Sequence, residues 1–203
     1  MSERRRLFGP NREEVWKQLA AEIGATYTEG SLWSGDRVRA RVDEWTITLD
    51  SETTLVGSVP ISYTRLRAPY VNADGFRFTL YRKGLFSGLG KLLGMQDIEV
   101  GEPRFDEHFI IKGNDQAKVR ALFANPRIRE LIEAQPSIHL EVKDDEGRFG
   151  ADFPEGVDEL SFHADGEIRD LERLRALYDL FAELLHQLCH IGSAYEDDPK
   201  LLL

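Results

Sequence analysis

The sequence has little cysteine and no long apolar run. Cys189 is its single cysteine, so no disulfide forms within the chain, as is usual in reducing compartments. No stretch approaches the roughly 18 consecutive apolar residues that a membrane-spanning helix needs. The start, MSERRRLFGPNREEVW, carries basic residues without the apolar region that follows them in a secretory signal. We therefore predict a cytoplasmic protein.

Common catalytic and nucleotide-binding signatures are also missing. There is no Gly-x-Ser-x-Gly nucleophile elbow. The glycine-rich run at residues 83–94, KGLFSGLGKLLG, lacks the Ser or Thr that follows the lysine of a phosphate-binding loop. Acidic residues outnumber basic ones: the formal net charge is -10, and residues 101–203 hold 23 acidic and 12 basic residues. Because phosphate repels such a chain, we expect no nucleic-acid partner. The candidate catalytic clusters fail on geometry or spacing, so we favour a protein that is not an enzyme and expect no cofactor.

The residues that are present indicate a globular chain. Hydrophobic residues make up 41% and charged residues 31%, as in folded proteins, and a chain of this length suits one domain. We predict a basic arm at residues 1–10, a single domain at 11–192 and a flexible tail at 193–203. The alternative divides the domain into two halves, 11–94 and 95–192.

Apolar periodicity predicts an α+β fold. Helical spacing predicts a first helix from Asn11 to Gly24 and a leucine-rich last helix from Asp170 to His190. Alternating residues predict strands at 37–42, 45–49, 61–71, 76–81, 137–143 and 159–164. Pro69 suggests an edge position or a strand end, and Asn72–Gly75 is typical of a hairpin turn. The predicted fold is an antiparallel sheet, or sheets, covered by the two helices.

The stretch at residues 94–115, GMQDIEVGEPRFDEHFIIKGND, joins the two halves. It predicts a short strand at 97–100, a turn, and a second strand at Phe105–Lys112. The run from Phe105 to Phe109, followed by a helix, a strand and a leucine-rich helix, is similar to an uncharacterised bacterial family with a domain of unknown function. In that family an F-D/E-x-x-F motif enters a strand. The resemblance implies no activity, and we expect both phenylalanines to be core residues.

Two pairs of histidines are candidate metal ligands. His139 and His163 fall on the outward faces of two strands that we expect to form a hairpin, with Glu141 nearby. Two imidazoles and a carboxylate are able to hold a divalent metal. His186 and His190 are four residues apart and so share a helix face. Solvated surfaces explain both pairs more simply, so we assign no metal.

Arginines on the outward faces of two strands form a candidate anion site. They are Arg37, Arg39, Arg41, Arg65 and Arg67. Such a face holds phosphates or carboxylates by bidentate contacts, but a face neutralised by the protein's own acids is the favoured alternative. Asp106, Glu107 and His108 resemble an acid–base cluster, yet successive residues of a strand point to opposite faces. We therefore assign no catalytic residue.

The glycine- and leucine-rich run at residues 83–94 is the predicted interaction element. Read as a helix, it places five apolar residues on one face: Leu85, Phe86, Leu89, Leu92 and Leu93. Its glycines weaken a helix, so we expect it to order on contact with a partner. The predicted function is a non-catalytic cytoplasmic binding or scaffolding domain, whose partner is a protein or a second copy. Peripheral membrane contact is the weaker option, and a metal-dependent enzyme using surface histidines and carboxylates is the alternative.

Overall fold

The computed structural model describes residues 11–30, 35–84, 97–144, 153–201 and 203. In these residues nine strands form one antiparallel sheet in the order β1-β2-β3-β4-β8-β7-β5-β6, with β9 also pairing with β4. The strands are β1 Thr26–Thr28, β2 Arg37–Val42, β3 Trp45–Val56, β4 Val59–Asn72, β5 Phe78–Arg82, β6 Phe109–Gly113, β7 His139–Lys143, β8 Val157–Asp165 and β9 Ala194–Tyr195. The helices are α1 Arg12–Ile23, α2 Pro103–His108, α3 Gln116–Phe123, α4 Pro126–Glu133 and α5 Leu171–His190. The predicted α+β class is confirmed.

Local sequence signals set the ends of the covering helices. The side chain of Asn11 accepts a hydrogen bond from the Glu14 N–H at 2.8 Å at the start of α1, and Gly24 ends this helix with φ 68. The side chain of Asp170 likewise accepts from the Arg173 N–H at 3.0 Å at the start of α5. These contacts satisfy N–H groups that a helix leaves unpaired. In the described part of the chain, no helix has the length and apolarity to cross a bilayer.

The core lies between the sheet and the helices. One register row of buried apolar residues crosses seven strands: Val38, Leu49, Leu66, Phe162, Leu140, Leu80 and Ile111. Helices α1, α3 and α4 all contact α5. The Tyr178 hydroxyl of α5 donates to the Val38 carbonyl at 2.9 Å. This bond fixes the long helix over β2, because a buried hydroxyl needs a partner.

The central stretch differs from the prediction. Residues 103–108 form α2, so the predicted strand at 105–112 begins only at Phe109. Proline is favoured in the first turn of a helix, and Pro103 occupies that position. Phe105 and Phe109, four residues apart, stack with ring centroids at 4.6 Å and are both buried. The predicted start of the strand at Phe105 is therefore wrong, whereas the core position of both rings is confirmed.

The predicted strand at 97–100 is also replaced by irregular backbone. Asp97 forms an isolated bridge with Lys112. The Asp106 carboxylate, at the start of the helix, accepts hydrogen bonds from the N–H groups of Val100 at 2.9 Å and Gly101 at 3.0 Å. A side chain thus satisfies backbone donors that a strand partner would otherwise pair.

Strand β4 lies inside the sheet, contrary to the edge position that Pro69 suggested. It pairs with β3 on one side and β8 on the other. The ladder with β3 ends at the pair Thr48–Arg67, so Pro69 lies beyond it and its missing N–H leaves no gap there. The turn at Asn72–Gly75 exists, but it does not close a hairpin, since β5 pairs with β6 and β7 instead of β4.

Candidate functional site

The face of the sheet opposite the helices carries two polar register rows. Successive side chains of a strand point to opposite faces of the sheet. The residues next to the buried apolar row therefore point away from the helices. The first row is Arg39, Thr48, Arg67, Ser161, Glu141, Thr79 and Lys112. The second row is Asp50, Arg65, His163, His139 and Tyr81. We call these two rows the polar face.

The polar face brings together two histidines and a glutamate. His139 on β7 and His163 on β8 are direct register partners, as the predicted hairpin required. His139 Nδ1 lies 3.0 Å from Nδ1 and 2.9 Å from Nε2 of His163. Glu141 follows two residues along β7, and its Oε2 lies 3.8 Å from His139 Nε2. One ligand atom from each of the three side chains falls within 4.8 Å of the others.

Burial keeps both imidazoles neutral near pH 7. Burial, together with the charge of Lys143, lowers the pKa of His139 to about 4. Burial likewise lowers the pKa of His163 to about 4, with a further contribution from His139. A neutral imidazole has one nitrogen that accepts a hydrogen bond or binds a metal. His139 is only 3% exposed, so the expectation of an ordinary solvated face is wrong at this position.

Two of the predicted anion-binding arginines are paired with the protein's own acids. Arg65 donates to both carboxylate oxygens of Asp50 at 2.9 and 3.1 Å, and to Glu52 at 2.8 Å. Arg67 donates to Asp50 at 2.5 Å. Burial lowers the pKa of Arg65, but its bonds to Asp50 outweigh burial and raise it above the ordinary value. In these ion pairs the protein's own acids neutralise the two arginines, as the favoured alternative predicted.

The arginines of β2 lie on the same face, farther from the histidines. Arg41 pairs with Glu44 at 3.0 Å and approaches Asp198 at 3.6 Å. Arg39 donates to the Leu203 carbonyl at 3.0 Å, and Arg37 is two residues away on the same strand. Anion binding by these residues stays a prediction.

The other sequence candidates do not converge with this cluster. His186 pairs with Asp43 at 2.7 Å on the β2–β3 turn. His190 lines a separate cleft of about 530 Å³ between α3 and α5. The predicted interaction residues lie outside the described part of the chain: Leu85, Phe86, Leu89, Leu92 and Leu93.

Residues 53–62, at the end of the β3–β4 hairpin, form an element that the sequence analysis missed. The β2–β3 ladder ends at the pair Val38–Leu49, and β8 pairs with β4 no farther than Tyr63. Within the described residues the two strands therefore continue together beyond the neighbouring ladders. At about 3.4 Å per residue they extend roughly 15 Å. We call residues 53–62 the hairpin tip.

The hairpin tip is uncharged and exposes two large apolar side chains. Large hydrophobic side chains exposed in the described part of the chain are Leu55 at 69%, Val59 at 61% and Tyr195 at 53%, and two of these belong to the tip. No residue from 53 to 62 carries a charge, although 31% of the chain is charged. Gly57, with φ 65, adopts the conformation that the first position of a two-residue hairpin turn requires. In the sequence, the run Val-Gly-Ser-Val at residues 56–59 is the pattern that indicates this two-residue hairpin turn.

Comparison with known proteins gives one structural likeness. No family model matches the chain, and no curated protein matches it. The fold is similar to the crystal structure of the mycobacterial trehalose monomycolate transport factor A, TtfA, with a TM-score of 0.51 and 11% identity. The similarity covers 87% of this chain and 95% of that one. At this identity the likeness establishes a shared fold.

Proposed function

We propose that this protein is a non-catalytic binding domain of the cytoplasm that uses the hairpin tip to contact another protein. The observation that carries the proposal is the exposure of Leu55 and Val59 at the end of a projecting hairpin. Projecting strand edges with exposed apolar side chains promote association unless charge or proline protects them. The tip has no charge, and its one proline, Pro60, is paired with Leu55.

The charge of the tip indicates the chemistry of the partner. An anionic membrane or a nucleic acid would be met by basic side chains, and residues 53–62 have none. An uncharged, apolar strand pair fits an apolar groove or a free strand edge of another protein, where main-chain bonds give affinity and side-chain pockets give specificity. We therefore commit to a protein partner with such an apolar surface.

The shared fold is compatible with a binding role, since TtfA is named as a transport factor. The glycine- and leucine-rich run at residues 83–94 is a second proposed contact element. It is separate in the chain from the β3–β4 hairpin, so the two elements are tested separately.

The alternative function, a metal-dependent enzyme, has one supporting observation. His139, Glu141 and His163 converge on the polar face, as catalysis by a bound metal would require. A reaction also needs a substrate cleft beside the metal; the cleft between α3 and α5, which Gln187 and His190 line, is a separate one. The three side chains are treated below as a metal site in their own right.

A photo-crosslinking experiment tests the proposed function. A photoreactive amino acid replaces Leu55 in the full chain expressed in its native cells, and the same replacement at Tyr195 is the matched control, since Tyr195 is also exposed and apolar. We expect one defined protein to be linked from position 55 and not from position 195. That protein, purified, must then bind the purified chain directly.

The remaining outcomes contradict the proposal. Linkage of the chain to itself indicates a homo-oligomer, and linkage to lipid indicates a membrane contact. Equal linkage from both positions indicates non-specific collision. Variants in which Leu85 and Phe86 are replaced by serine test the second element independently of the hairpin tip.

A further inference from the structure

We propose that His139, Glu141 and His163 form a binding site for one divalent transition-metal ion. The site is built by strand register. His139 and His163 face each other across the β7–β8 ladder, and Glu141 points to the same face because it is two residues along its strand. Three ligand atoms from three side chains thus meet without any loop.

The distances suit a small ion. Ligands at 2.0–2.1 Å from a tetrahedral zinc ion lie about 3.3 Å from one another. His139 Nδ1 lies 2.9–3.0 Å from the ring nitrogens of His163, whereas the Glu141 carboxylate lies 3.8 Å from the other ring nitrogen of His139, Nε2. One ligand atom from each of the three side chains falls within 4.8 Å of the others, so side-chain rotation that brings a single His139 nitrogen toward both partners completes the site.

The ligand types select the class of metal. Two imidazoles and one carboxylate suit zinc and its first-row neighbours, whereas magnesium and calcium prefer oxygen ligands alone. His163 and Glu141 are partly exposed while His139 is buried. An ion held by the three side chains therefore keeps one side toward solvent, which leaves room for a fourth ligand such as water.

The surroundings are compatible with a cation. Lys143, the lysine on β7, lies 3.3 Å from the buried Glu159 carboxylate, which offsets part of its charge. The ring of His139 makes an edge contact with Tyr81, and that of His163 an edge contact with Tyr63, each with centroids at 6.4 Å. Aromatic packing of this kind restrains ligand orientation, as supporting groups do around metal centres.

The experiment is a titration of the purified full chain with Co²⁺, followed by competition with Zn²⁺. We expect one equivalent of Co²⁺ to give visible absorption bands, and Zn²⁺ to displace it. Glu141→Gln keeps the shape of a partly exposed residue and removes one metal ligand. Its metal affinity should fall at least about tenfold, because loss of a group that only supports a ligand already costs about that much. His163→Gln should abolish the bands. The double variant His186→Gln with His190→Gln, which changes two histidines outside the cluster, should bind like the parent.

Two results would overturn the proposal. The first is less than one equivalent of bound metal in the parent. The second is that Glu141→Gln binds the metal as tightly as the parent, while the double variant at His186 and His190 loses affinity. Cooperative urea unfolding verifies that each variant folds. X-ray absorption of the zinc-loaded parent needs no variant, and it should show two imidazole nitrogens at about 2.0–2.1 Å; a shell without imidazole would also contradict the site.

Discussion

Asp50 and Arg67 form a buried ion pair across β3 and β4, with Oδ2 and Nη2 2.5 Å apart and side chains 4% and 5% exposed. Breaking such a pair leaves a charge in a poorly solvated place, which costs far more than breaking a pair in water. We predict that Asp50→Asn lowers the free energy of unfolding by about 3 kcal/mol. Urea denaturation measures the change.

The control for this pair is Glu44→Gln. Glu44 pairs with Arg41 at 3.0 Å, but both side chains are about half exposed, at 51% and 53%. Exposed pairs contribute at most about 1 kcal/mol. Equal losses in Asp50→Asn and Glu44→Gln would mean that burial of the first pair is unimportant.

The leucine-rich stripe of α5 is the second target. Phe181 is fully buried in the core, so Phe181→Ala removes apolar contacts and leaves a cavity. The free energy of unfolding should fall by about 3–5 kcal/mol. Chemical denaturation equal to that of the parent would exclude a core role for this helix face.

Glu159 should make stability fall as pH rises. It is fully buried, and burial raises its pKa although Lys143 and Arg67 act in the opposite direction. Because the folded pKa lies above the unfolded one, the folded state holds the proton more tightly, and this stabilisation is lost as pH rises from the unfolded value through the folded one. We predict that the parent loses stability relative to Glu159→Gln as pH increases from about 4 upward.

Urea denaturation of both proteins over this pH range measures the effect. A parent that gains stability over Glu159→Gln as pH rises would show that the ion pair with Lys143 dominates over burial.

The thiol of Cys189 should react slowly. Burial, with a further contribution from the charge of Glu196, raises its pKa to about 11, and the thiolate is the reactive form. Alkylation by iodoacetamide should accelerate roughly tenfold per pH unit from about pH 8 to 10, as expected far below the pKa. In denaturant the alkylation rate of the same thiol should stop rising near pH 9. Levelling at that pH in the folded protein would be inconsistent with the raised pKa.

Local patterns predicted most of the elements. Strict alternation located β2, and capping signals located α1 and α5 to within one residue. The same alternation placed His139 and His163 on the outward faces of two strands that were expected to form a hairpin. That the two side chains could lie near each other was thus accessible from sequence, whereas their direct register is seen only in the structure.

Longer-range features were not accessible in this way. The central place of β4 depends on its pairing with β8, which lies about 90 residues farther along the chain, and periodicity carries no information about such partners. Residues 103–108 fit either a helix or a strand, since Phe105 and Phe109 are four apart and both buried. The hairpin tip escaped notice because its serines and threonines lack the alternation of a strand with one buried face.

The most direct test of the proposed function is the dissociation constant of the complex with the crosslinked partner. Leu55→Ser with Val59→Ser should leave the fold intact, since both side chains are exposed. It should weaken binding at least about tenfold, which corresponds to about 1.4 kcal/mol, while Tyr195→Ser binds like the parent. An unchanged dissociation constant for the Leu55 and Val59 variant would contradict the assignment of this protein as a domain that binds through its hairpin tip.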